Sequence, residues 1–276
     1  MNQIKTVALL GLLSGLLVSL SYSLGGSSGA LLGVGFAAVM NLGSWFYSDK
    51  IALAAYHAQP LSAQDAPQIH SMVAKLADRG QMPMPQIYLV PSNAANAFAT
   101  GRDPEHAAVA VTQGIINLLP PEELEAVIAH ELSHIYNRDT LTQAVAATVA
   151  GAISWLAQMA FWFMGSSRDD DGPNPLVALV GVIVAPVAAT VIQLGLSRTR
   201  EFAADAGAAR LTGNPRALAN ALQRLEAGSQ QLPLDANPAF APLLIINVPS
   251  RQMLARFFST HPSTADRVQR LLELES

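Results

Sequence analysis

The stretch Ala126–Asp139, "AVIAHELSHIYNRD", decides how the chain is read. Leu124, Val127, Ile128, Leu132 and Ile135 recur there at helical spacing and predict the buried side of a helix. Pro120 and Pro121 stop the preceding run and start this one, and Glu122, Glu123 and Glu125 suit its positive N-terminal end. His130 and His134 are one turn apart, so their rings leave from one face, with Glu131 beside them. Two imidazoles so placed are a ready pair of zinc ligands, and the intervening glutamate is placed to take a proton from an attacking water rather than to bind the metal. A histidine pair satisfied in a core, with the glutamate solvated, has the same spacing. A third ligand decides between them.

Composition says where to look. Half of the 276 residues are apolar (51%) and only 13% are charged, against about 25% in soluble domains. The deficit points to a membrane protein. A net charge of -4 without a dense Lys/Arg cluster gives no reason to expect a nucleic-acid partner. With no cysteine, no disulfide holds the fold.

The missing charges leave four long uncharged stretches, at about 6–24, 29–47, 140–164 and 176–196. Each reaches the roughly 20 residues that a helix needs to cross about 30 Å of hydrocarbon. The expected organisation is therefore a transmembrane hairpin over 1–47, a soluble piece over 48–139 that carries the zinc helix, a second hairpin over 140–196 with its loop at 165–175, and a second soluble piece over 197–276. A buried helix pair is the alternative for the last two spans, and a cleaved leader for the first. Lys5, Lys50, Arg198 and Arg200 fall on one side of the membrane, while the loop "GSSRDDDGPNP" falls on the other. The excess of basic residues places the first side, with both termini and both soluble pieces, in the cytoplasm.

The third ligand must lie on the same side of the membrane as His130 and His134, and the first residues after the last span return to the membrane surface near the zinc helix. There the chain reads "SRTREFAADAGAARL". Glu201 and Asp205 are one turn apart and share a face, so Glu201 can complete a His2Glu set and Asp205 can accept a hydrogen bond from the free nitrogen of a ligand histidine. A surface Glu and Asp paired with Arg198, Arg200 or Arg210 is the alternative. In the first soluble piece, His70–Asp78 reads as a helix, "PQIYLV" as a strand, "NAFAT" as extended, and "HAAVAVT" as a strand before a helical run from Gln113. His57, His70 and His106 have no partner at ligand spacing and read as surface or packing residues.

"NAFATG", "AVIAHELSHIYNRD", "SRTREFAADAGAARL" and "THPS", in that order and with hydrophobic hairpins before and between, resemble the HtpX heat-shock proteases, membrane members of the Ste24-like zinc metallopeptidases. The resemblance runs over nearly the whole chain. It implies a mainly α membrane protein with four transmembrane helices and an α+β, gluzincin-type peptidase domain with a small sheet. It also implies a multi-pass protein of the cell inner membrane that serves protein quality control and the stress response. Its partners would be the lipid bilayer and unfolded or misfolded membrane proteins. His130, His134 and Glu201 match the family's zinc ligands, for one Zn2+ per chain, and Glu131 its catalytic glutamate. Ala203 is a departure, since some relatives have histidine there.

The oxyanion formed during hydrolysis needs a further donor, and His261 of "STHPSTADR", similar to the family's His-Pro, is the candidate. Arg198 and Arg200 rival it, although lipid head groups are their more natural partners. Otherwise the segment simply flanks the last helix, with Ser263 as its cap. Around "NAFATG" an open strand edge would present backbone to an unfolded polypeptide, with Asn96 and Ala97 as the contact residues, unless the segment is a plain inner strand. Two other functions use the same residues: an intramembrane zinc protease, and a non-proteolytic zinc-binding scaffold.

Overall fold

The computed structural model describes residues 2–146, 198–231, 245 and 262–275. Helix α1 (Asn2–Phe46) is not a straight rod. Asn41 Nδ2 lies 2.8 Å from Ser14 Oγ, 27 residues away. A straight helix would hold the two about 40 Å apart. The chain therefore doubles back, and Gly26, at φ +57°, is in the left-handed conformation that such a reversal uses. Among the described residues one stretch is long and apolar enough to cross a membrane, Gly26–Gly43, with mean hydropathy 1.3; Leu10–Ser19 is a shorter apolar stretch. Four spans were expected. Those at 140–164 and 176–196 lie outside the described residues apart from 140–146, which are helical.

After the short α2 (Ser48–Ala55) the chain builds a four-stranded mixed sheet from β1 (Gln59–Pro60), β2 (Gln86–Val90), β3 (Ala97–Gly101) and β4 (Ala107–Thr112), in the order β1-β2-β4-β3. β2 runs parallel to β4, with Gln86 opposite Ala108, and β3 runs antiparallel to it, with Ala97 opposite Val111. β1 is a two-residue strand too short to leave an alternation in the sequence. Every residue of β4 is buried, as a run of Ala, Val and Thr in a central strand should be. β3 closes one edge of the sheet. Below it, Tyr56 and Phe98 place their rings 5.0 Å apart.

The helices cover the sheet. α3 (Pro67–Arg79) lines up Ile69, Val73 and Leu76 on one face, and α4 (Gln113–Leu118) begins at a Thr112 cap whose side chain accepts from Ile115 N–H. α5 (Pro121–Tyr136) starts with proline in its first turn, as expected. Nearly all of it is buried, including the His130–His134 face, because α6 (Arg198–Thr212) packs over the side a surface helix would leave in water. α7 (Pro215–Gln231) supplies Leu218, Leu222 and Leu225 to the same core as Val109, Val111, Ile128 and Leu132. α8 (Thr264–Glu273) closes the domain with Leu271, and the Ser263 side chain caps it by accepting from Asp266 N–H. Thr140 Oγ1 donates to Gly101 O at 2.9 Å and ties the start of the 140–146 helix to the end of β3.

Candidate metal centre

α5 and α6 come unusually close at Gly207. A Cβ there would lie 2.4 Å from Ser133 Oγ and 2.8 Å from Ser133 Cβ, so glycine is what allows the approach. It brings Glu201 and Asp205 of α6 opposite His130 and His134 of α5. The Nε2 atoms of the two histidines are 3.2 Å apart. Glu201 completes a triangle, with Oε2 3.7 Å from His130 Nε2 and Oε1 3.6 Å from His134 Nε2. Donors at zinc-ligand distance in a tetrahedral set stand roughly 3.3 Å apart. The three residues are buried, at 1%, 4% and 2% exposure for His130, His134 and Glu201, and two imidazoles with one carboxylate are a donor set that zinc accepts.

Each ring is held from behind. His130 Nδ1 faces Asp205 Oδ1 at 2.9 Å, and His134 Nδ1 faces Asp139 Oδ2 at 3.2 Å, which leaves both Nε2 atoms directed at the centre. Asp139 was not singled out from sequence. It reaches back because Arg138 adopts φ +57° just after the helix ends, and Asp139 N–H then donates to His134 O at 2.9 Å. A left-handed non-glycine residue leaves little mark on a sequence. Arg200, read from sequence as a candidate head-group anchor, is instead buried, with Nη1 3.8 Å from Asp139 Oδ1.

The other residue missed is Arg267, on α8 and 2% exposed. Its Nη2 and Nε donate to Asp205 at 2.6 and 2.9 Å, a bidentate pair, and its Nη1 lies 3.9 Å from Glu201 Oε2. In the sequence it is one of two arginines in a polar helix, with Arg270, and nothing in the spacing marks it as the one that points inward.

Four buried carboxylates, Glu131, Asp139, Glu201 and Asp205, thus surround two imidazoles and two guanidiniums. Burial pushes the Glu131 carboxyl up to about 7, with Glu201 adding to the rise while His134 and the Ala99 N–H oppose it. For Asp205 burial works upward too, but Arg267 and His130 outweigh it and hold the carboxyl below its usual range. Burial alone would lower His134; Asp139, Glu201 and Glu131 reverse this and raise it to about 9, while desolvation takes His130 down to about 4.

Of the remaining sequence candidates, Asn96 is buried, and its Oδ1 accepts from Ala97 N–H at 2.9 Å and Ile245 N–H at 3.0 Å. Ala97 is fully buried at the start of β3. His261 lies outside the described residues. His70 bonds Leu61 O at 2.8 Å and His106 bonds Asp103 at 2.7 Å, both away from the centre.

A small mixed sheet backed by two helices that share a buried His2Glu centre is the frame of a zinc metallopeptidase, and residues 63–275 match Peptidase family M48; the chain belongs to that family. It is 67% identical over 279 residues to the Protease HtpX homolog of Nostoc punctiforme, covering 99% of this chain and 96% of that one. The Protease HtpX homolog of Gemmatimonas aurantiaca is 47% identical over 277 residues, with 99% of each chain covered. Over nearly its whole length the chain is thus similar to the HtpX proteases. Among solved structures, Ste24p of S. mikatae shares the fold, with TM-score 0.55 at 19% identity; the match covers 98% of this chain and 65% of that longer one.

Proposed function

We propose that the protein is an endopeptidase that holds one zinc ion on His130, His134 and Glu201 and uses Glu131 as its general base. The observation that carries this reading is the convergence of three buried ligand atoms, all within 4.8 Å of one another, next to a carboxylate raised to about 7. Zinc, when bound, supplies Lewis acidity that acidifies water and polarises a carbonyl. Glu131, poised near neutrality, takes the proton from the attacking water and returns it to the leaving amine. Asp205 and Asp139 fix the tautomer and direction of the two imidazoles. Asn96 and Ala97 receive substrate backbone at the β3 edge, and His261 donates to the oxyanion.

The natural substrates in this reading are misfolded or damaged membrane proteins, cut on the cytoplasmic side of the inner membrane. Backbone recognition supports a substrate defined by being unfolded rather than by sequence. The basic residues beside the hydrophobic stretches support the orientation. The test is hydrolysis of a misfolded membrane protein by the purified chain in detergent. A chelator abolishes it and one equivalent of zinc restores it. Full activity at zero metal content refutes the mechanism.

A further inference from the structure

β3 is an edge strand among the described residues, yet its outer edge is already engaged. In a strand, alternate residues direct their backbone groups to the same edge. Ala97 and Ala99 are such a pair. The Ala99 N–H acts on the Glu131 carboxylate and lowers its pKa, and Ala97 O accepts from Ile245 N–H at 3.3 Å. The same N–H lies 3.0 Å from Asn96 Oδ1. On its other side, the Ile245 carbonyl accepts from Arg267 Nη1 at 3.1 Å, while Arg267 Nη2 lies 3.4 Å from His130. The Ile245 side chain is 2% exposed and joins the main apolar core.

One residue, 149 positions beyond Asn96, is thus gripped by N–H, carbonyl and side chain together. The gripping groups adjoin Glu131 and a zinc ligand. None of the polar grips reads a side chain, so they suit any polypeptide laid along this edge. Ile245 itself sits in "FAPLLIINVPS", residues 240–250, an uncharged apolar sequence like the unfolded chains such an edge attracts.

Building on the reading of the chain as a peptidase, we propose that Ile245 is an intramolecular occupant of the substrate edge. The resting protein holds its own backbone where a substrate residue pairs with Asn96 and Ala97, and a substrate must displace it to reach Glu131. Substrate affinity is then reduced by the fraction of time that the edge is free. An occupancy of 90–99% raises the apparent KM roughly 10- to 100-fold. The device favours long unfolded chains, which hold several sites at once, over short peptides.

The chain has no cysteine, so Ile245→Cys in a Glu131→Gln background places a single thiol at the edge without turnover. The measurement is the rate of maleimide labelling of the zinc-loaded protein in detergent, titrated with a carboxymethylated, permanently unfolded polypeptide. Saturation is read independently by fluorescence anisotropy of the polypeptide. The rate should rise saturably, by about tenfold or more if displacement frees the thiol. A rate that is the same with and without saturating polypeptide overturns the proposal. In the Glu131-intact protein, Ile245→Gly should lower KM about tenfold with kcat unchanged, and Ile245→Val should behave as the parent. A fall in kcat at unchanged KM, in a variant that retains its zinc, means that Ile245 only builds the site and overturns the proposal as well. Labelling reads occupancy without hydrolysis, so it is separate from failure of the peptidase reading, which the chelation experiment detects.

Discussion

Asp205→Asn breaks the centre at the point where the most structure depends on one carboxylate. The wild-type group accepts two hydrogen bonds from Arg267, at 2.6 and 2.9 Å, and faces His130 Nδ1 at 2.9 Å. Arg267 is 2% exposed, so removal of its anionic partner leaves a guanidinium in the interior with no bidentate acceptor. Breaking a buried pair in this way costs about 3–5 kcal/mol. At roughly 2–4 °C per kcal/mol for a domain of this size, the thermal midpoint falls by about 6–20 °C. Zinc affinity drops by about 10- to 100-fold, as for loss of other groups that orient a ligand. The decisive variant is Asp205→Asn combined with Arg267→Met, which removes both charges and keeps apolar bulk. It should be more stable than either single variant, since neither leaves its partner uncompensated. The assay is thermal unfolding of the zinc-saturated proteins in one detergent, with zinc affinity measured by competition against a chromophoric chelator. If the double variant loses the sum of the two single losses, Asp205 and Arg267 do not act as a pair and the argument fails.

Asp139→Ala should weaken zinc by about 10- to 100-fold through His134 alone, and Asp139→Asn, which keeps a hydrogen-bond acceptor, by less; equal affinities in all three proteins would show that the 3.2 Å contact does not orient the ring. His134 is raised from 6.5 to about 9 in the metal-free site, so zinc has to displace a proton there. Apparent zinc affinity should therefore climb by about tenfold per pH unit up to about 9 and flatten above it, and a flat profile between pH 7 and 9 would contradict the raised His134. The linked stability has the same origin: for a group whose pKa is raised on folding, the metal-free protein has its full contribution below 6.5 and loses it as pH rises through about 9.

Much of this site can be read from the chain. The His130–His134 spacing, the proline start of α5 and the Glu201–Asp205 turn are local, so helical period alone puts each pair on one face. The two strands around "NAFATG" and "HAAVAVT" follow from composition in the same way. What stayed hidden depends on long-range geometry. Asp139 returns to His134 through a left-handed Arg138, and of the two arginines of α8 it is Arg267 and not the exposed Arg270 that turns inward, because of how that helix docks on α6. Ile245 gives no periodic signal, and its meeting with Ala97 is a matter of tertiary path. The burial of nearly all of α5 is hidden for a related reason: an amphipathic pattern does not show that a second helix covers the polar face, as α6 does here.

The most direct test of the central assignment separates the base from the ligands. Zinc per chain and turnover of an unfolded polypeptide are measured in Glu131→Gln and Glu201→Ala, purified identically with the parent. Glu131→Gln keeps the shape of the side chain but cannot take a proton, so it should bind a full equivalent of zinc while turnover falls by about two orders of magnitude or more. Glu201→Ala removes an anionic ligand from a three-residue set, and zinc itself should be lost. Full zinc in Glu201→Ala together with zinc loss in Glu131→Gln would exchange the two roles and contradict the site described.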